Sequence, residues 1–179
     1  MNAYLLGFRG AGKTTVGRML AAQLGWGFLD LDEEWETREG RTIVSFVQDR
    51  GEPAFRESEE VILREVEESF RPGGARERGG WLVATGGGVV DSPSSREILV
   101  SSPWPKIFLS VEESELWDRL RNSEERKKIG QLNSQAALAE RLRQRLPHYE
   151  KIATYRVANR DISQSLAELN RLLAHGQKD

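Results

Sequence analysis

Short apolar runs alternate along the chain with longer stretches whose apolar residues recur at helical spacing. The runs are Tyr4–Leu6, Phe28–Leu31, Trp81–Ala84, Ile107–Leu109 and Tyr155–Ala158. Between them, helical patterns lie near 14–24, 57–70, 94–100, 112–121, 135–152 and 162–174. Strand and helix in turn predict an α/β fold, with a parallel sheet covered on both faces. Phe46–Ala54 includes Gly51 and Pro53, so a helix there must break. The stretch "RPGGARERGG", 71–80, has four glycines and a proline and reads as a surface loop. A second irregular stretch, "NSEERKKIGQLNS", 122–134, is charged and weakly periodic, and reads as a loop or lid. No composition shift divides the chain, so residues 1–179 are expected to form one domain, with a frayed tail after Ala174.

Composition narrows the class. Hydrophobic residues are 38% and charged residues 30%, which suits a folded soluble domain rather than a disordered one. A net charge of -2 offers no broad basic field, so nucleic acid is not expected as a partner. The chain has no cysteine, which excludes a disulfide framework, a thiol nucleophile and thiolate-bound metal. No run approaches the ~18 apolar residues of a membrane span. A cytoplasmic location without a membrane partner is therefore expected. The five tryptophans read as packing residues, and His148 and His175 have no neighbours in sequence that suggest a metal site.

Chemistry enters at "GFRGAGKTT", 7–15, which fits the phosphate-binding pattern G-x-x-x-x-G-K-[ST]. Glycines let the backbone turn sharply, so successive N–H groups can face one concavity. The helix that follows, with Val16, Leu20 and Leu24 on one face, adds its positive N-terminus. Gly10, Ala11, Gly12, Lys13, Thr14 and Thr15 are thus candidates for binding a nucleoside triphosphate. Lys13 can reach the outer phosphates, and the Thr14 hydroxyl can ligate Mg²⁺.

Three downstream features bear on where the phosphate goes. In "FLDLDEE", Asp30 and Asp32 alternate along what reads as an extended segment at the carboxyl edge of the sheet. One can hold water on Mg²⁺; the other can orient a hydroxyl or take its proton. A competing role is to cap the helix "EEWETRE". In "FRESEE", Arg56 can pair with Glu60 or clamp an anion. In "TGGGVV", three glycines after a buried strand leave room for a ligand against the backbone, or make an ordinary tight turn.

GxxxxGKT, D-L-D, F-R-E-x-E and T-G-G-G-V-V, in that order, resemble the shikimate kinase family from Tyr4 to about Leu173. These are small monomeric P-loop kinases related to the nucleoside monophosphate kinases. The resemblance implies a three-layer α/β/α sandwich with a five-stranded parallel sheet in the order 2-3-1-4-5. It implies transfer of the γ-phosphate of ATP to the 3-hydroxyl of shikimate, a step toward chorismate and the aromatic amino acids. By the same resemblance, Asp30 holds Mg²⁺ through water, and Asp32 binds the acceptor hydroxyls and serves as base. The shikimate-binding region then spans about 32–60. Arg56 and Arg145, the latter in "QRLPHYE", grip the acceptor carboxylate, and Gly87 offers its N–H. Arg119 lies near the adenine, and Arg126 is the lid arginine that reaches the transferring phosphate.

The family's lid usually reads R-P-L-L, and this chain has "RKKI", with Lys127, Lys128 and Ile129 in place of the last three. Arg9 inside the P-loop is also unusual. Two other activities share these residues: a kinase of another small hydroxy acid, and a nucleotide-binding module whose altered lid impairs turnover.

Overall fold

Five parallel strands make one sheet in the order β2-β3-β1-β4-β5. They are β1 (Asn2–Leu6), β2 (Gly27–Asp30), β3 (Trp81–Ala84), β4 (Lys106–Ser110) and β5 (Tyr155–Ala158). The computed structural model describes residues 1–121 and 132–175, apart from the His175 side chain. In register, Leu5 sits beside Ala84 on one side and Ile107 on the other. Every residue of β1 is buried, as expected of a central strand covered on both faces.

The helices are α1 (Lys13–Leu24), α2 (Leu31–Glu39), α3 (Ile43–Ser69), α4 (Pro93–Ser101), α5 (Glu113–Arg121), α6 (Gln135–Ile152) and α7 (Ile162–His175). Their ends carry recognisable signals. Thr42, Ser92 and Ser134 accept from backbone N–H groups at the starts of α3, α4 and α6. Gly25 ends α1 in the left-handed region, its N–H turned back on Ala21 and Ala22. The expected break falls at Gly51, whose φ of 85° and ψ of 161° leave the helical region inside α3.

Two helices exceed the periodic pattern. α2 is missing from the periodic pattern, though weighed as a capped helix "EEWETRE", because it is nearly all polar and buries only Leu31 and Trp35. Trp35 anchors it, edge-on to Phe46 and Phe55 at 4.9 and 5.3 Å, with its indole N–H on the Ser58 hydroxyl at 2.7 Å. α3 starts fourteen residues before the pattern at 57, because the break at Gly51 disrupts its periodicity. The 71–80 segment is a loop, as expected.

The period-two alternation of β1 divides the core. Tyr4 and Leu6 face Trp35, Phe55, Leu63, Phe108 and Tyr149. Ala3 and Leu5 face Val16, Leu20, Ile107 and Leu169. A smaller cluster of Phe8, Leu116, Leu120, Leu132 and Leu138 packs α5 and α6 at the end of β1. No helix among the described residues is long and apolar enough to cross a membrane.

Packing is tight where α1 crosses the sheet. A methyl group on Gly17 would come within 2.4 Å of the Phe28 ring and 3.0 Å of Leu5. Glycine to alanine inside a helix ordinarily stabilises by up to about 1 kcal/mol. Here overpacking reverses the sign, and Gly17→Ala should cost about 1–3 kcal/mol in urea denaturation. A gain in stability would refute this packing account.

Candidate active site

β1 runs straight into the glycine turn. Gly10 and Gly12 hold φ of 81° and 89°, a region side chains disfavour. Gly12 is also the N-cap of α1; it supplies no side-chain cap, and no acid stands in the first turn. The leading N–H groups of α1 are therefore available to an anion. The turn is braced by its carbonyls. Arg119 donates to Gly10 O at 3.0 Å and to Asn159 O at 3.1 Å, and Asn159 donates to Ala11 O at 2.7 Å. Lys13 folds back on the turn, donating to Gly7 O at 2.9 Å and Phe8 O at 3.2 Å. Burial lowers its pKa to about 8 against the pull of Asp32 and Asp30. Thr15 is exposed.

Asp30 ends β2 and does two jobs at once. One oxygen accepts the Thr14 hydroxyl at 2.6 Å; the other caps α2, accepting the N–H groups of Asp32 at 3.0 Å and Glu33 at 3.4 Å. Asp32 does not continue an extended segment. It lies in the first turn of α2, because the Asp30 cap starts the helix one residue after the strand. Its pKa rises to about 7, first through burial, then through Glu59 and Asp30, with Lys13 and Arg9 opposing. Asp32 and Glu59 both approach Gly86 so closely that a methyl there would lie 2.8 and 2.0 Å from their oxygens. A side chain at Gly86 would fill the space the two carboxylates occupy.

The two arginines converge on one carboxylate. Arg145 binds Asp91 through Nε at 2.8 Å and Nη2 at 2.5 Å, and donates from Nη1 to Gly87 O at 3.0 Å. Arg56 donates to Glu59 at 2.7 Å and Glu52 at 3.0 Å, with its Nε 3.9 Å from Asp91. The Glu60 pairing open to Arg56 in sequence is not formed; Glu60 takes Arg64 at 2.9 Å instead. Among the described residues, neither Arg56 Nε nor Glu59 Oε1 finds a hydrogen-bond partner, although both are buried. Orphaned buried groups of this kind mark places where a ligand can complete the bonding.

This seat adjoins the P-loop. The Arg145 guanidinium stacks over Phe8 at 5.1 Å, and the Arg9 backbone lies 2.7 Å from where a Cβ on Gly87 would be. Tyr149 donates to the same Gly87 carbonyl at 2.6 Å. Burial draws the Arg9 pKa down to about 10, with Asp32 opposing and Arg145 and Arg56 reinforcing, so its charge is felt across this crevice. A cavity of about 770 Å³ opens beside this crevice, lined by Phe8, Ala11 and Tyr149 among others, and includes neither Asp32 nor Arg56. No group of three His, Cys, Asp or Glu able to hold a metal occurs among the described residues. Arg126, Lys127 and Lys128 lie outside the described residues.

Glu52, Asp91 and Asn159 belong to the crevice but did not stand out in sequence, and Glu59 and Tyr149 lie within the quoted motifs F-R-E-x-E and QRLPHYE with no role attached to them. Glu59 had a signal: it is one helical turn from Arg56, but among "ESEE" it looks like a solvated face. Asp91 lies three residues after the glycine triplet, yet its partner is 54 residues away.

The model of the family described as shikimate kinase matches residues 9–174. A shikimate kinase of Thiobacillus denitrificans is 38% identical over 178 residues, covering 99% of this chain and 90% of that protein. The structure of shikimate kinase from Acinetobacter baumannii in complex with shikimate superposes with a TM-score of 0.83 at 32% identity, covering 97% of this chain and 93% of that one. Shikimate kinase from Bacteroides thetaiotaomicron gives 0.80 at 30% identity, covering 97% and 98%.

The raised pKa of Asp32 should be visible in stability. Its carboxyl ionises near 3.8 ordinarily and near 7 in the fold, so folding favours the protonated form. Ionising it therefore costs stability, and the cost grows as pH rises from about 4 to 7, then stays constant. Asp32→Asn should raise Tm more at pH 8 than at pH 5 in calorimetric scans. Equal shifts at both values would contradict a carboxyl that titrates near neutrality in the fold.

Proposed function

The chain belongs to the shikimate kinase family, and from that premise we propose that it transfers the γ-phosphate of ATP to the 3-hydroxyl of shikimate. The products are ADP and shikimate 3-phosphate, on the route to chorismate and the aromatic amino acids. One observation carries the reading: the glycine turn and the two-arginine seat share a crevice, joined at Gly87 and Phe8. A phosphate donor in the first and a small organic acid in the second would meet without large rearrangement.

In this reading the amides of 10–15 and the Lys13 ammonium hold the triphosphate. Thr14 and Asp30 are hard oxygen donors in mutual contact, and they suit Mg²⁺ held largely by phosphate and water. Bound there, Mg²⁺ neutralises charge on the phosphate oxygens. Arg56, Arg145 and the Gly87 N–H seat the acceptor. Asp32, poised near neutrality, orients the 3-hydroxyl and takes its proton as the oxygen bonds to phosphorus and ADP leaves. Arg126, in the segment 122–134 that the resemblance assigns to a lid, offsets charge on the moving phosphoryl group. Arg119 braces the P-loop beside the nucleotide. The expected setting is the cytoplasm, as a single-domain monomer with ATP and shikimate as its partners.

An ADP-release assay coupled to NADH oxidation tests this. ADP should appear only when shikimate is present. Arg56→Ala should act mainly on KM for shikimate, raising it about 30-fold or more, since losing one partner of a desolvated pair costs about 2–5 kcal/mol. Arg126→Ala should act mainly on kcat, lowering it about 10³-fold. Small, equal effects of both changes would defeat the assigned roles.

A further inference from the structure

Asp91 occupies the point where the two guanidinium groups converge. It engages Arg145 through both oxygens, and one of them stands 3.9 Å from Arg56 Nε. That separation is too long for a hydrogen bond, and Arg56 Nε is buried with no such bond among the described residues. One carboxylate thus binds one arginine fully and leaves the other half engaged. A small organic acid seated between Arg56 and Arg145 would need the same place.

We propose that Asp91 is a resident carboxylate in the acceptor's seat, and that shikimate binds by carboxylate exchange. The acceptor's carboxylate takes over Arg145 and completes Arg56 while the Asp91 side chain rotates away. This rests on the reading of the crevice given above.

Three observations favour exchange over addition. Glu52 and Glu59 already pair with Arg56, so an added anion beside Asp91 would put a fourth carboxylate against the arginines. Exchange leaves the charge of the seat unchanged. Asp91 is also more open to solvent than the groups packed closest to it: its side chain is 26% exposed, against 7% for Arg145 and 3% for Glu59. Finally, its backbone is held independently. Its N–H donates to Gly88 O at 2.9 Å, and Arg96 donates to the carbonyls of Val90 and Asp91 at 2.6 and 3.3 Å. A change of rotamer therefore moves the carboxylate without disturbing the turn Val89–Asp91. Asp91 in this role sets acceptor affinity, because part of the acceptor's binding energy goes into displacing it.

The test is calorimetric titration of shikimate into the wild type, Asp91→Asn and Asp91→Ser, with KM measured alongside. Asparagine and serine hold Arg145 less strongly than a carboxylate, so Kd for shikimate should fall about three- to tenfold in both, with KM following. Unchanged or weaker binding in both variants would overturn the proposal and make Asp91 a support for Arg145 instead. If either variant fails to fold, a crystal structure of the wild-type complex decides: Asp91 off Arg145 supports exchange, and Asp91 still bidentate refutes it. A wild type that neither binds nor phosphorylates shikimate defeats the functional reading, and this inference with it. A wild type that binds shikimate while neither Asp91 variant binds it tighter defeats this inference alone.

Discussion

A charge leaves water only beside its opposite, and the carboxyl edge of this sheet is arranged around that constraint. Lys13, Arg56 and Arg145 are buried or nearly so, and so are Asp30 and Glu59. None could stay charged alone in such a place. Arg56 is tolerated because Glu52 and Glu59 flank it, and Arg145 because Asp91 meets it with two oxygens. Lys13 satisfies itself on the carbonyls of its own turn. The balance is incomplete at a few atoms, namely Arg56 Nε and Glu59 Oε1, and these lie in the crevice where a polar acid would bind. A site built from nearly cancelling charges can exchange one partner for another at modest cost, which suits substrates that are themselves anions.

The fold supplies the enclosure. Strand order puts β1 between β3 and β4, so the turns after β1 and β3 lie side by side at the carboxyl edge. The first is the P-loop and the second the glycine triplet, and the Gly87 carbonyl joins the triplet to Arg145 and Tyr149 on α6. Asp30 shows how little waste there is. One oxygen starts α2 and the other holds Thr14, so the roles of cap and ligand, which compete in sequence, are shared within one carboxylate. Glycines stand where two elements approach too closely for a side chain, at Gly17 under Phe28 and at Gly86 under Asp32 and Glu59.

Much of the site was legible because its chemistry is local. The P-loop works through backbone amides and one lysine within nine positions, so its residues must be neighbours in sequence. Asp30 and Asp32 were legible as a pair for the same reason, although the alternation suggested a strand and the Asp30 cap made a helix. The acids that neutralise the arginines were harder. Glu52 and Glu59 sit among other acids on a long polar helix, and nothing in their spacing separates a buried carboxylate from a solvated one. α2 itself escaped the periodic pattern because a single tryptophan, rather than a stripe, buries it.

The amino-acid sequence alone determined the alternation of strand and helix, the break at Gly51 and the phosphate turn, whereas Arg56 and Arg145 were picked out as an acid's grip by resemblance to a family. The first three are set by local rules: side-chain periodicity and backbone freedom at glycine. Only the tertiary structure decided that Asp91 stands between Arg145 and Arg56, that Glu59 and not Glu60 holds Arg56, and that Arg9 is felt in the same crevice. Those choices depend on which charges are buried together, and burial is a property of the packed sheet and helices rather than of any one segment.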